Sequence, residues 1–291
     1  MLRWLVVASI CLLASFSGQA MGAGNSSSAG LAKYRLYTPA IWHAVNTLPQ
    51  QQCGVVQVIQ IFVPKQHQQL LLAELSAWHR HPLAAHMNCF IIETFDVEQL
   101  SCEHQGTRGR ADCHLTGRKQ NKGVREIIFV PSHYGIAFND TQRVVLPVSA
   151  SLELFAHEVA HWLGFADEYA MPQELAEAFC SGRYDHASLN VVVTEQTIMS
   201  ESELIALWRR LPWRHAVESW QYLGSKQADG SWKLGSTTAH AASHHVGLFA
   251  AQTCEATSHY AWRPVNRFTP MQYFDVAEWP TVYLEMLQRA N

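Results

Sequence analysis

The chain has 291 residues, of which 48% are hydrophobic and 15% charged: enough apolar material to bury a core, and the wrong composition for an intrinsically disordered polymer. A formal charge of −3 excludes the strongly basic balance of a nucleic-acid-binding protein. Sixteen histidines are a surplus and seven cysteines an odd count, and both need an explanation from the order of the residues.

Met1 to Arg3 ends in a positive charge, Trp4 to Phe16 is an uncharged apolar run, and Gly18 and Ala20 put small residues at cleavage positions. This predicts a secretory signal peptide over 1–20, cut near Ala20, and a secreted or periplasmic mature protein. About 20 apolar residues are needed to span a bilayer, so this shorter run predicts no membrane anchor after cleavage. Cys11 leaves with the peptide. Cys53, Cys89, Cys102, Cys113, Cys180 and Cys254 remain, an even set without a C-x-x-C pair, which favours disulfides in an oxidising compartment. Cys102–Cys113 is the first choice because its glycine-containing loop closes easily; Cys53–Cys89 and Cys180–Cys254 follow by elimination, with free buried thiols as the alternative.

Met21 to Ala32 is Gly-, Ser- and Ala-rich and predicts a flexible N-terminus over 21–32. Val55 to Val63 is a β-branched run ending at Pro64, a strand signal, and Gln68 to His79 carries leucines and Trp78 at helical spacing. Cys89 to Phe95 and Glu126 to Val130 predict two further buried strands. Between them Arg108, Arg110, Arg118, Lys119, Lys122 and Arg125 crowd a stretch that reads as a solvated loop, with a docking surface for an acidic partner as the alternative. Arg143 to Val148, after an Asn139-Asp140 turn signal, predicts an edge strand. A mixed sheet with a helix packed on it is the expected frame.

Ser151 to Gly164 reads as a helix: Ser151 caps its start, Leu152, Phe155, Val159 and Leu163 form an apolar stripe, and Gly164 ends it. On it lies His157-Glu158-Val159-Ala160-His161. Histidines four apart share one face, so both imidazoles can reach one metal ion while Glu158 stands beside them. A histidine-rich chain of this length holds about 0.05 chance copies of H-E-x-x-H. Requiring Gly164 three residues later and an acid or histidine at position 167 lowers that to roughly 0.0004, which makes a metal site the stronger reading.

The stretch HEVAHWLGFADEY, His157 to Tyr169, resembles the metzincin clan of zinc metallopeptidases, and its Asp-Glu-Tyr ending is similar to the bacterial IgA-peptidase-like family of that clan. Val246 to Phe249 and Tyr260 to Pro264, with Met271 close behind, resemble downstream blocks of that family, although Ala250 and Ala251 depart from it. The resemblance implies one catalytic Zn2+ held by His157, His161 and Asp167, with Glu168 as the alternative third ligand. It also implies Glu158 as general base and a methionine turn at Met271, or alternatively Met199. Tyr273 and Tyr260 are candidate oxyanion donors. The implied fold is α/β (α+β), a metzincin-like zincin over 33–291. Its upper lobe, about 33–164, holds a twisted mixed sheet and the active-site helix; its lower lobe, about 165–291, is smaller and mostly helical or irregular. The implied activity is a zinc metalloendopeptidase acting on a protein or peptide held extended against Arg143 to Leu146, with a monomer expected.

Other features read more plainly. His240, His244 and His245 form a loose cluster without a framing carboxylate, and Trp208, Trp213, Trp220 and Trp232 are expected core packing. The alternatives to a peptidase are a secreted zinc-binding protein, supported by the histidine surplus, and a catalytically silent metzincin-fold interaction module, against which the intact Glu158 counts.

Overall fold

The first half of the chain folds around strands β1 (Ile59–Pro64), β2 (Phe90–Phe95), β3 (Leu100–Gln105), β4 (Arg110–Leu115), β5 (Arg125–Val130), β6 (Phe138–Asn139) and β7 (Arg143–Pro147). These come from a computed structural model that describes residues 58–290, apart from 70, 72–76, 88, 106–109, 119–122, 136, 184–187, 238 and 241–244. The expected signal peptide, the 21–32 segment and Cys53 lie outside the described residues.

Five strands make one mixed sheet in the order β2-β1-β5-β7-β6. The first four run parallel and β6 runs antiparallel to β7. Alternating side chains supply both faces, as the two-residue period of a strand requires. Ile127, Phe129, Val144 and Leu146 enter one core; Ile128, Val130 and Val145 enter another. Helix α1 (Leu152–Trp162) covers the first face through Phe155, Ala156, Val159 and Ala160. The β3–β4 hairpin covers the second through Ala111 and Cys113.

Two expectations are corrected here. Arg143 to Leu146 is not the sheet edge, because β6 pairs with its outer flank; a strand of two residues is too short to leave an alternating pattern in the sequence. The basic stretch is not one solvated loop, since residues 110–115 return as β4 against β3. In that hairpin Cys102 sits directly opposite Cys113 and the two form a disulfide, while Arg143 pairs with Asp112 at 2.7 Å to fasten the hairpin to β7. The expected helix from Gln68 shows helical backbone at Gln68–Gln69 and Ala77–Trp78, with 72–76 outside the described residues.

The second half holds α2 (Gln173–Cys180), β8 (Val192–Thr194), β9 (Ile198–Met199), α3 (Glu201–Arg210), β10 (Gly224–Lys226), β11 (Trp232–Leu234), β12 (Phe249–Ala251), β13 (Tyr260–Arg263) and α4 (Thr281–Ala290). It is more strand-rich than expected, with two three-stranded sheets, β10-β11-β9 and β12-β13-β8. Cys180 at the end of α2 is bonded to Cys254. Cys89 is also disulfide-bonded; its expected partner Cys53 is outside the described residues. These disulfides fit an oxidising compartment. Trp213 and Trp232 are buried in the main core and Trp208 and Trp220 pack against it. No helix among the described residues is long and apolar enough to cross a membrane.

His81 marks the packing of the sheet side against α4's approach. It stacks on Trp78 at 4.9 Å, faces Trp279 edge-on, and its Nδ1 accepts a hydrogen bond from Leu83 N. Burial holds its pKa down at about 4, against a smaller upward pull from Glu153. The folded chain therefore resists a proton that the unfolded chain takes near pH 6.5, so stability should fall as pH drops from 6.5 to 4 and level off below. His81→Asn keeps an acceptor for Leu83 N and should flatten that slope in thermal melts between pH 7.5 and 4; an unchanged slope would remove His81 as its source.

Candidate metal centre

Helix α1 begins at Ser151, whose Oγ accepts from Leu154 N at 3.2 Å, and carries Glu153 in its first turn. It ends at Gly164, which takes φ +97° and lies so close to Leu189 that an added Cβ would meet its Cγ at 3.3 Å. Only glycine adopts that φ without strain. Past this turn, Asn190 grips Ala166 from both sides: its Oδ1 accepts from Ala166 N at 2.8 Å and its Nδ2 donates to Ala166 O at 2.9 Å. The next two residues are held by Thr253 Oγ1 donating to Asp167 O, Glu168 N donating to Met271 O, and Gln252 N donating to Glu168 O.

This bracing brings His157, His161 and Asp167 together, with one ligating atom of each within 4.8 Å of the others. Asp167 Oδ1 stands 3.3 Å from Nε2 of His157 and 3.3 Å from Nε2 of His161. The opposite ring nitrogens face carbonyls: His157 Nδ1 donates to Pro270 O at 2.8 Å and His161 Nδ1 donates to Phe165 O at 3.0 Å. A carbonyl only accepts, so each Nδ1 carries the proton and each neutral Nε2 presents a lone pair. Asp167 Oδ1 is buried without a hydrogen-bond partner. Three acceptors thus converge on one spot, an arrangement that repels itself unless a cation sits among them. Without a metal, a proton takes that role. Burial alone would lower the His161 pKa, but the negative charge of Asp167 at 3.3 Å outweighs it and raises it to about 9; the same pairing depresses the pKa of Asp167 against the upward push of burial. The donor set fits a borderline-soft divalent ion with an open coordination position.

A cleft of about 370 Å3 opens beside these residues, lined by His161, Asp167, Glu158, Asn139 and Tyr169 among others. Asn139 on β6 places Glu158: its Nδ2 donates to Glu158 Oε2 and to Glu158 O, both at 2.9 Å. Both partners are acceptors, which settles which end of the amide faces them. Tyr169 stacks over His157 with ring centroids 6.4 Å apart. Its pKa is raised by burial first and then by Asp167 and Glu158, so the phenol stays protonated at neutral pH.

The other expected site residues fall elsewhere. Glu168 is fully buried and turned to different partners: Oε1 accepts from Asn190 Nδ2 at 2.8 Å and from the Tyr283 hydroxyl, and Oε2 from Arg263 Nη1 at 3.0 Å and Thr269 Oγ1 at 2.6 Å. With four donors on it, this carboxylate has no role as the third ligand. Met271 is fully buried next to Pro270, the residue that orients His157, whereas Met199 lies in β9 opposite Trp232. Tyr260 and Tyr273 are exposed and do not line the cleft; Tyr169 does. His240 bonds Val246 O and stacks on Tyr222, and His244 lies outside the described residues. Among the described residues, His157, His161 and Asp167 form the one group able to hold a metal.

Sequence reasoning did not single out Asn139 beyond a turn signal, nor give Tyr169 a role beyond a motif letter. Neither has a local sign, because each acquires its partner through the fold. No protein-family model and no characterised protein sequence matches the chain.

Proposed function

We propose that the chain is a secreted or periplasmic zinc-dependent endopeptidase of metzincin type. The observation that carries this reading is the convergence of His157 Nε2, His161 Nε2 and Asp167 Oδ1 at the wall of a cleft that also holds Glu158. Two imidazoles and one carboxylate suit zinc and leave room for a reacting molecule, which distinguishes a catalytic from a closed structural site. Zinc, when bound, supplies Lewis-acid activation of water and of the scissile carbonyl.

The protein's own part follows from the contacts. Asn139 holds Oε2 of Glu158 in place, leaving the other oxygen free to take a proton from the attacking water and pass it to the leaving amine. Pro270 O and Phe165 O keep both imidazoles in the tautomer that presents Nε2. Among the described residues the last strand of the sheet on this side is β6, antiparallel to its neighbour, and an extended peptide pairing there is bound through its main chain with little dependence on sequence.

The test uses zinc-loaded protein, the same protein stripped by a chelator, and a broad peptide library. Cleavage by the loaded protein, its loss on stripping and its return with one equivalent of zinc are the expected results. Undiminished cleavage after metal removal, or no cleavage of any peptide by the loaded protein, would overturn the reading.

A further inference from the structure

The cleft carries two arginines that the mechanism above does not use. Arg110 opens β4 and is half-buried in the cleft wall; Arg183, beyond α2, stands at the exposed rim. Four other arginines are paired with carboxylates, Arg118 with Glu126, Arg143 with Asp112, Arg263 with Glu168 and Arg267 with Glu278, while Arg125 donates to Trp162 O. Among the described residues no carboxylate pairs with Arg110 or Arg183. The acids that share the cleft have other partners. Glu158 is held by Asn139, Asp167 faces the two histidines, and Asp140 Oδ1 accepts from the backbone of Gln142 and Arg143.

Both cations are also held in position. Arg110 lies on the hairpin closed by Cys102–Cys113 and fastened by Arg143–Asp112. Arg183 donates from Nε to Ser181 Oγ at 2.9 Å and from its backbone N to Ala178 O at 3.0 Å, which leaves its terminal nitrogens for a ligand. Met171, Leu175 and Phe179 give the same cleft an apolar wall. A guanidinium fork is built for a planar carboxylate, and a half-buried, unpaired one gains most from meeting it.

We propose that Arg110 and Arg183 make this cleft selective for peptides that place a carboxylate beside an apolar side chain. The inference rests on the peptidase reading and names its substrate class. The carboxylate is that of an acidic side chain or of the peptide's own C-terminus. In the second case the protein is a peptidase that trims chain ends in place of the endopeptidase named above.

Binding separates these outcomes from catalysis. Zinc-loaded Glu158→Gln protein is titrated calorimetrically with position-scanned peptides carrying Glu or Gln after an apolar residue, each with a free or amidated C-terminus. The same set is run on protein that also carries Arg110→Gln and Arg183→Gln, with circular dichroism to verify its fold. The expected result is a loss of about tenfold or more in affinity when the recognised carboxylate is removed, shrinking to under about threefold without the arginines. A loss on Glu-to-Gln exchange identifies a side chain, and a loss on amidation identifies the C-terminus. A carboxylate ligating the zinc itself would keep its advantage in the arginine variant, and that result overturns the proposal, as does equal binding of all peptides. Failure of the peptidase reading is visible separately, as peptides that bind but are not cleaved by the zinc-loaded wild type.

Discussion

Glu158→Gln is expected to lower kcat by about 10²- to 10⁴-fold on any peptide the protein cleaves, the range attached to a positioned general base, while zinc content stays at the wild-type level. The substitution is close to isosteric. Its side-chain oxygen can still accept from Asn139 Nδ2, which now meets Glu158 Oε2 at 2.9 Å, so the side chain should keep its place and lose only its basicity. Metal should stay because Glu158 is not among the atoms that converge at the centre. Single-turnover kinetics and metal analysis on the same samples make the comparison. Loss of zinc in step with activity would mean that Glu158 holds the ion, and an unchanged kcat would remove it from the chemistry.

Glu168→Ala should cost about 3–5 kcal/mol of folding stability, the range for removing one partner of a buried ion pair. The substitution strips an acceptor from Arg263, Thr269, Asn190 and Tyr283 at once. Arg263 is itself buried and would keep its charge with Gln272 as remaining partner. Burial, followed by the charge of Glu168, holds the Tyr283 pKa well above the usual phenol value, so its hydroxyl is a donor at neutral pH. Domains are stable by only about 5–15 kcal/mol, so the variant should lose a large share of its stability margin and unfold at clearly lower denaturant concentration. Glu168→Gln retains the shape and one acceptor and should fall between the two. Denaturant titration measures all three, and an alanine variant within 1 kcal/mol of wild type, a deliberately strict bound at roughly the mean effect of any substitution, would refute the ranking.

The parts of the fold legible in the sequence are those with local causes. The runs that became β1, β5 and β7 are largely apolar and rich in β-branched residues, as suits strands buried on both faces, and α1 carries its own cap, stripe and terminating glycine. Cys102 and Cys113 pair across a hairpin whose two strands are neighbours in sequence. What was not legible depends on distant partners. Asp167 and Glu168 are neighbours with the same chemistry, and nothing local tells a prospective ligand from a structural acid. The difference is made by Arg263 and Tyr283, 95 and 115 residues away from Glu168. Arg110 is one of six basic residues in a stretch that reads as solvent-facing, and only the register of β3 with β4 brings it to the cleft. The six short strands of the second half are two to four residues each, too brief for any period to show.

The hydrogen bond from His157 Nδ1 to Pro270 O spans 113 positions, and this separation sets an order of events during synthesis. The whole H-E-x-x-H segment leaves the ribosome long before the carbonyl that selects its working tautomer, and longer still before Tyr283 closes over Glu168. A nascent chain, or a fragment ending before Thr269, carries the complete motif without the Pro270 carbonyl that orients His157 and the Met271 carbonyl that anchors Glu168 N. The tautomer of His157 that presents Nε2 is therefore fixed only once the chain has been made past Pro270.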